Sequence, residues 1–246
     1  MRVAVRVYPT RSAVAHAARR ISSPLPKRAT TARRRFSVVL AGGNTPRDVY
    51  RLLASDEYAP MVAWQQTHVF WGDERAVSLS DPENNAHMAR ETLLNYVPIP
   101  VENIHRIQTN LPPQDAARDY EQTLRNYFSV RGLSEPSFDL VLLGMGAEGH
   151  VASLFPHSPA LRERERWVAA TYVEPKQTWR ITMTPVALNA ASKIIFTVVG
   201  EEKAQALREV LSDPKRPNEF PAQIIDPPQG QVLWIADRAA ASLLNP

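Results

Sequence analysis

The sequence contains no cysteine and no long apolar run. Without thiols the chain forms no disulfide and performs no thiol chemistry, and a zinc site would lack its commonest soft ligand. No stretch approaches the ~18–20 consecutive apolar residues of a membrane-spanning helix. The N-terminal segment also lacks the apolar core of a secretory signal. These absences lead us to expect a cytoplasmic enzyme or binding protein that does not associate with membranes.

The excess of positive charge is small, at a formal net charge of +4 over 246 residues, and arginine far outnumbers lysine. The positive residues are scattered, so we expect no nucleic-acid partner. One cluster falls within residues 27–35, beside Pro24 and Pro26. It is either a solvated loop or a patch that steers an anionic substrate toward the protein.

Short apolar runs alternate with amphipathic segments along the whole chain, which predicts a mainly parallel open sheet with helices on both faces. We therefore expect an α/β fold, a Rossmann-like three-layer arrangement, in a single domain over residues 1–246. The predicted strands are residues 3–8, 36–40, 67–71, 104–107, 138–143, 167–172, 180–183, 194–199 and 232–236. The predicted helices are residues 13–21, 45–53, 85–94, 115–128, 185–191, 201–211 and 238–243.

Glycine is scarce, with nine residues in the chain, yet three of them fall within residues 144–149, directly after an apolar run that is typical of a buried strand. Glu148 and His150 stand in the same turn. In an open α/β sheet the loops beyond the carboxyl ends of the strands bind the ligand. The spacing of the glycines also matches the dinucleotide fingerprint, but Pro156 leaves room for only about one turn of the helix that the fingerprint requires. Nicotinamide binding is therefore disfavoured.

Two other strand ends carry polar side chains. Gly42 and Gly43 precede a predicted helix start, where Thr45 is the expected N-cap and Pro46 suits the first turn. Such a segment is either a phosphate-binding helix N-terminus or a tight turn with a capped helix. The third predicted strand ends in Gly-Asp-Glu-Arg at residues 72–75. Because the carboxyl ends of parallel strands share one edge of a sheet, we expect all three loops to line one site.

Taken together, these segments resemble the 6-phosphogluconolactonases, within the larger group that includes glucosamine-6-phosphate deaminase and ribose-5-phosphate isomerase. The resemblance covers nearly the whole chain. Its most specific part is Leu-Gly-Met-Gly-Ala-Glu-Gly-His-Val-Ala-Ser-Leu-Phe-Pro at residues 143–156, and Ala-Gly-Gly-Asn-Thr-Pro at residues 41–46 and Gly-Asp-Glu-Arg at residues 72–75 also match. The sequence departs from the family pattern at Glu148 for Asp, Asn44 for Ser and Val151 for Thr.

The resemblance implies hydrolysis of 6-phospho-D-glucono-1,5-lactone by a monomeric, cytoplasmic enzyme that needs no cofactor and no metal. An imidazole titrates near neutral pH, so His150 is the expected general base. Glu148 or Asp73 is expected to orient the ring or hold the water, and the N–H groups of Gly146 and Gly149 to stabilise the oxyanion. The expected binding residues for the phosphate and the sugar hydroxyls are Gly42, Gly43, Asn44, Thr45, Arg75, Gly146, Lys176, Arg180 and Lys203.

Three other functions stay open at this point. An amino-sugar-phosphate deaminase or isomerase would share the glycine loop, but not Arg75 or the continuation after His150. A non-catalytic sugar-phosphate-binding regulator would keep the phosphate site and have no use for His150. The third alternative is an α/β protein with an unknown ligand.

Overall fold

The computed structural model describes residues 4–22, 35–130 and 132–244. Within those ranges the strands are β1 (Ala4–Tyr8), β2 (Phe36–Leu40), β3 (Thr67–Trp71), β4 (Asp73–Arg75), β5 (Leu140–Leu143), β6 (Val168–Val173), β7 (Thr178–Met183), β8 (Lys193–Val198) and β9 (Gln231–Asp237). The α-helices there are α1 (Arg11–Ser22), α2 (Asn44–Leu53), α3 (Asn85–Thr92), α4 (Pro113–Ser129), α5 (Pro185–Leu188) and α6 (Ala204–Leu211). The basic cluster of the sequence falls almost wholly outside the described residues.

The main sheet has six strands in the order β1-β9-β8-β5-β2-β3, and every pairing in it is parallel. All residues of β2, β3 and β5 are buried. Since successive side chains of a strand point to opposite faces, a strand that is buried throughout has both faces covered. This confirms the predicted α/β fold with a mainly parallel sheet between helices.

A second sheet of three antiparallel strands, in the order β4-β7-β6, was not predicted. The Gly-Asp-Glu-Arg segment was expected to be a loop, but its last three residues form β4. Gly72 connects the two sheets, because its N–H donates to the Leu40 carbonyl at 3.0 Å and its carbonyl accepts from Met183 N at 2.8 Å. Asp73 and Arg75 are therefore held on a strand rather than on a flexible loop.

Several smaller predictions were wrong. Residues 104–107 form no strand, since only a single bridge joins Ile104 to Val69. Residues 238–243 form turns and not a regular helix, since the backbone bonds change from an i+4 step at Ala241 to i+3 steps at Ser242 and Leu244. The predicted helix over residues 201–211 begins with a 3-10 turn and becomes α-helical at Ala204.

The order of the strands defines where a ligand binds. From β2 the chain passes to β3, at one edge of the main sheet. From β5, which lies beside β2, it passes to β8 and β9 in the opposite direction across the sheet. A sheet whose connections reverse direction has a crevice beyond the carboxyl ends of the two strands at that point. The gap between the ends of β2 and β5 is therefore the expected position of a site.

Nowhere in the described ranges is a helix long and apolar enough for a membrane crossing.

Candidate active site

A cavity of about 390 Å³ opens at the carboxyl edge of the main sheet, where β2 and β5 separate. Of the thirteen residues predicted for the site, eleven line it, and Glu148 and Gly149 do not. The loops after β2, β3 and β5 thus converge as expected. The residues that the structure places there are Gly42, Gly43, Asn44, Thr45, Asp73, Arg75, Gly146, His150, Lys176, Arg180 and Lys203.

The start of α2 forms one wall of the cavity. The sequence suggested Thr45 as the N-cap of α2, and this prediction is wrong. Gly43 occupies that position, the helix begins at Asn44, and no side chain caps it. The first N–H groups of a helix have no intrahelical acceptor and lie at its positive end. Asn44 and Thr45 therefore leave uncapped donors beside the cavity, as an anion site requires.

The loop after β2 packs directly against Asn85, a side chain that lines the cavity and was not predicted for the site. A Cβ at Gly42 would lie 2.0 Å from the Asn85 amide oxygen. The Asn85 Nδ2 group in turn donates to the Asp73 carbonyl at 2.9 Å. Asn85 is 2% exposed and lies between these two loops. Only a glycine at position 42 allows this contact.

The imidazole of His150 is held by three neighbours. Its Nδ1 lies 3.2 Å from the Glu148 Oε1 atom, and its ring stacks on Phe155 with centroids 4.1 Å apart and planes inclined by 21°. A Cβ at Gly146 would lie only 1.9 Å from Nδ1, so the ring lies over the bare Cα of that glycine. Nδ1 is buried without a well-directed hydrogen bond, so its contact with Glu148 is mainly electrostatic.

Glu148 reaches the site through His150 rather than from the cavity wall. The contact with the imidazole, opposed by partial burial and assisted by the charge of Lys203, lowers the pKa of Glu148 to about 2. Glu148 is therefore an anion near neutral pH. Its longer side chain, compared with the family's aspartate, still reaches the ring.

The prediction that the N–H groups of Gly146 and Gly149 stabilise the oxyanion is wrong. Gly146 N donates to the His150 carbonyl at 2.9 Å, and Gly149 N donates to the Gly146 carbonyl at 3.0 Å. Both N–H groups are therefore used to close the loop on itself. Gly146 remains a site residue because its missing side chain makes room for the imidazole.

Asp73 does not orient the imidazole. Its Oδ2 atom accepts a hydrogen bond from the Ser153 hydroxyl at 2.6 Å, and both residues are buried. The Ser153 N–H donates to the Thr182 hydroxyl at 3.2 Å, which connects the loop after β5 to the antiparallel sheet. Ser153 belongs to the glycine-loop motif, but its partner is distant in sequence. Only the fold shows that it holds Asp73 in the cavity floor.

Two arginines lie side by side in the cavity. Arg75 and Arg180 are opposite each other in the β4–β7 pairing. Arg180 is 8% exposed, and burial together with the charge of Arg75 lowers the pKa of its guanidinium. Arg75 pairs with Glu83 at 3.1 Å, yet the Nε atoms of both arginines are buried without a hydrogen-bond partner. Such a concentration of positive charge is suited to an anionic ligand.

Lys176 and Lys203 add positive charge from two further loops. Lys176 stands in the turn between β6 and β7, and Lys203 ends the 3-10 turn after β8. Arg11 also lines the cavity and was not predicted to do so; it pairs with Asp48 at 2.6 Å. Arg11 is the first residue of an ordinary amphipathic helix, so nothing in the sequence indicated that it belongs to the site.

Glu74, between the two polar residues of β4, has a structural role. Its carboxylate accepts the N–H groups of Arg75, Asn85 and Ala86 at 2.7–2.9 Å, so it caps the start of α3. The residue is 1% exposed, and this burial raises its pKa to about 7. Glu74 thereby fixes Asn85 in its place between the two loops.

The family model described as glucosamine-6-phosphate isomerases/6-phosphogluconolactonase matches residues 9–234. The chain belongs to this family. Among similar members of the family, a 6-phosphogluconolactonase from Nostoc sp. is 42% identical over 213 residues, covering 86% of this chain and 85% of the relative. A 6-phosphogluconolactonase from Synechocystis sp. is 40% identical over 211 residues, covering 85% of each chain. The solved structure of 6-phosphogluconolactonase from Trypanosoma cruzi is 26% identical, with a TM-score of 0.88, and covers 100% of this chain and 98% of that one.

Proposed function

We propose that this protein hydrolyses 6-phospho-D-glucono-1,5-lactone to 6-phospho-D-gluconate, in the oxidative pentose phosphate pathway. The observation that carries the proposal is the composition of the cavity. It combines an imidazole beside a carboxylate with a helix N-terminus and several positive side chains. The family and the names of its similar members support the same reaction.

In the proposed mechanism His150 is the general base. We assign the Nδ1–H group to the side of Glu148, 3.2 Å away, which leaves Nε2 to take a proton from water. The water oxygen adds to the lactone carbonyl, and the ring oxygen then leaves with the proton from the imidazolium. Glu148 stabilises that imidazolium without being protonated itself. A lactone is a reactive ester, so no covalent enzyme intermediate is required.

The positive side chains have two tasks in this proposal. One is to bind the phosphate, at the N–H groups of Asn44 and Thr45 with Lys176, Arg180 or Lys203. The other is to stabilise the negative charge that develops on the carbonyl oxygen, since the N–H groups of Gly146 and Gly149 are engaged elsewhere. Within the described part of the chain Arg180 has no ion-pair partner, so its charge is available to the substrate.

We further propose a cytoplasmic monomer that acts as one domain. One chain supplies the imidazole, the carboxylate and the positive side chains that the proposed mechanism uses, so the reaction requires no residue of a second copy. Substrate and product are phosphate esters that do not cross membranes unaided, so the enzyme has to work in the compartment where the lactone is made. Light scattering of the purified protein measures the mass directly, and a dimer would contradict the monomer without affecting the reaction.

A coupled assay tests the reaction. Glucose-6-phosphate dehydrogenase supplies the lactone, and 6-phosphogluconate dehydrogenase reports the product as it forms. We expect product to appear well above the spontaneous rate, and chelation of divalent metals from this protein before the assay to leave that excess unchanged. Glucosamine 6-phosphate is the control substrate. Release of ammonia from it, with no acceleration of lactone hydrolysis, would overturn the proposal in favour of a deaminase.

A further inference from the structure

Two buried tyrosines bind the backbone where the chain leaves the main sheet for the cavity loops. The Tyr50 hydroxyl, on α2, accepts the Ala41 N–H at 2.9 Å and donates to the Ala41 carbonyl at 2.8 Å. The Tyr120 hydroxyl, on α4, accepts the Trp71 N–H at 2.8 Å and donates to the Trp71 carbonyl at 3.1 Å. Both tyrosines are 0% exposed. In each case one hydroxyl satisfies both peptide groups of one residue.

The position of Ala41 explains why it needs such a partner. The Leu40 carbonyl accepts the Gly72 N–H, so the peptide groups of Leu40 face β3. Alternate residues of a parallel strand direct these groups to opposite neighbours, and those of Ala41 therefore face β5. The last paired residues of β2 and β5 are Val39 and Val141. Ala41 thus lies where the two strands have already separated and no ladder partner remains.

A hydroxyl is suited to this position because it is both a donor and an acceptor. Tyr50 also belongs to the helix that the loop introduces, so its hydroxyl joins the end of β2 to the second turn of α2. Strand end, loop and helix start become one closed unit. Burial raises the pKa of Tyr50, which keeps the hydroxyl protonated and both hydrogen bonds available.

We propose that Tyr50 is a positioning residue for phosphate binding: its hydroxyl fixes the direction of the α2 N-terminus toward the cavity. The inference rests on the proposed function, in which the donors of Asn44 and Thr45 bind the substrate phosphate. Tyr120 makes the same pair of bonds at the edge strand β3. It does not touch the helix that begins at Asn44, and it therefore serves as a matched control.

The test compares Tyr50→Phe with Tyr120→Phe. Each change keeps the ring and removes two hydrogen bonds to one buried residue, so we expect both variants to fold and to lose a similar amount of Tm. Titration calorimetry with inorganic phosphate and with 6-phosphogluconate then measures Kd, at a temperature where circular dichroism shows both variants folded. For Tyr50→Phe we expect Kd and KM to rise about tenfold, roughly what one hydrogen bond to a charged group contributes, with kcat within about twofold. For Tyr120→Phe we expect an unchanged Kd, because Arg75 keeps its pairing with β7.

Two results would overturn the inference. One is a Tyr50→Phe protein that is less stable but binds phosphate as the wild type does. The other is an equal rise of Kd in both variants, which would indicate general loosening. Phosphate binding is measured without turnover, so the test is independent of the reaction. If Kd rises in Tyr50→Phe but the wild-type protein does not hydrolyse the lactone, the proposed function is contradicted and this inference still stands.

Discussion

Gly146→Ala is the substitution whose effect follows most directly from the structure. A Cβ at this position would lie 1.9 Å from His150 Nδ1, 2.1 Å from its Cε1 and 2.8 Å from Glu148 Oε2. Nonbonded carbon and nitrogen atoms approach to about 3.5 Å, so the ring has to move by roughly 1.5 Å. Gly146 does not have the positive φ that only glycine accepts readily, and its N–H bond to His150 O is unaffected. The backbone therefore tolerates alanine, and the cost falls on the imidazole.

The size of the effect follows from that displacement. A misplacement of about 1 Å costs on the order of 10²-fold in rate, and loss of a placed acid–base group costs about 10²–10⁴-fold. We expect kcat of Gly146→Ala in the coupled lactonase assay to fall by about 10²–10³-fold, above a floor set by spontaneous hydrolysis. The Tm should change little, since the displaced ring is at the edge of a cavity.

Gly144→Ala is the matched control. Apart from its two chain neighbours, no protein atom lies within 4 Å of a Cβ at that position, so neither the loop nor the imidazole has to move. Gly144 lines the cavity, so we expect any effect of the added methyl group to appear in KM and kcat to stay within about threefold. A folded Gly146→Ala protein with the same kcat as Gly144→Ala would refute the reasoning, because the reaction would then not depend on where the imidazole lies.

Two further predictions concern buried charges. The pKa of Glu74 is raised from its ordinary value of 4.5 to about 7, so between these pH values the folded state keeps a proton that the unfolded state has released. The free energy of unfolding should therefore decrease as pH rises from 4.5 to 7. Denaturant titrations at pH 5 and pH 8 measure this, and a Glu74→Gln protein with the same slope would exclude Glu74 as its source. Arg180→Ala should raise KM for the phosphorylated lactone about tenfold or more and leave that for plain gluconolactone nearly unchanged; an equal loss for both lactones would place Arg180 away from the phosphate.

Much of the fold was predictable because most strands of the main sheet are largely apolar runs between polar segments. Residues 36–40 and 67–71 were predicted with the bounds that the structure has. The site was predictable for a topological reason: strand ends of a parallel sheet share one edge, so polar residues after three strands had to converge. This reasoning placed His150, Asp73 and the helix start at Asn44 near one another, without any contact being known.

The remaining features depend on contacts between residues that are distant in sequence. Glu148 or Asp73 was expected to orient the imidazole or hold the water, whereas the Asp73 carboxylate accepts a hydrogen bond from Ser153, eighty positions away. The short strand β4 contains three charged or polar residues and carries no strand signal of its own; its pairing with β7 creates it. The glycine N–H groups were open as oxyanion donors in the sequence, and only the turn geometry shows that they are occupied.

The most direct test of the account is the lactonase rate of the wild-type protein, His150→Ala and His16→Ala, measured side by side with Tm and phosphate Kd. His16 is an exposed histidine on α1 and controls for the loss of an imidazole as such. We predict that His150→Ala loses about 10²–10⁴-fold in kcat while Tm and phosphate Kd stay close to the wild-type values, and that His16→Ala is unchanged in all three. A His150→Ala protein that hydrolyses the lactone at the wild-type rate would contradict the central claim.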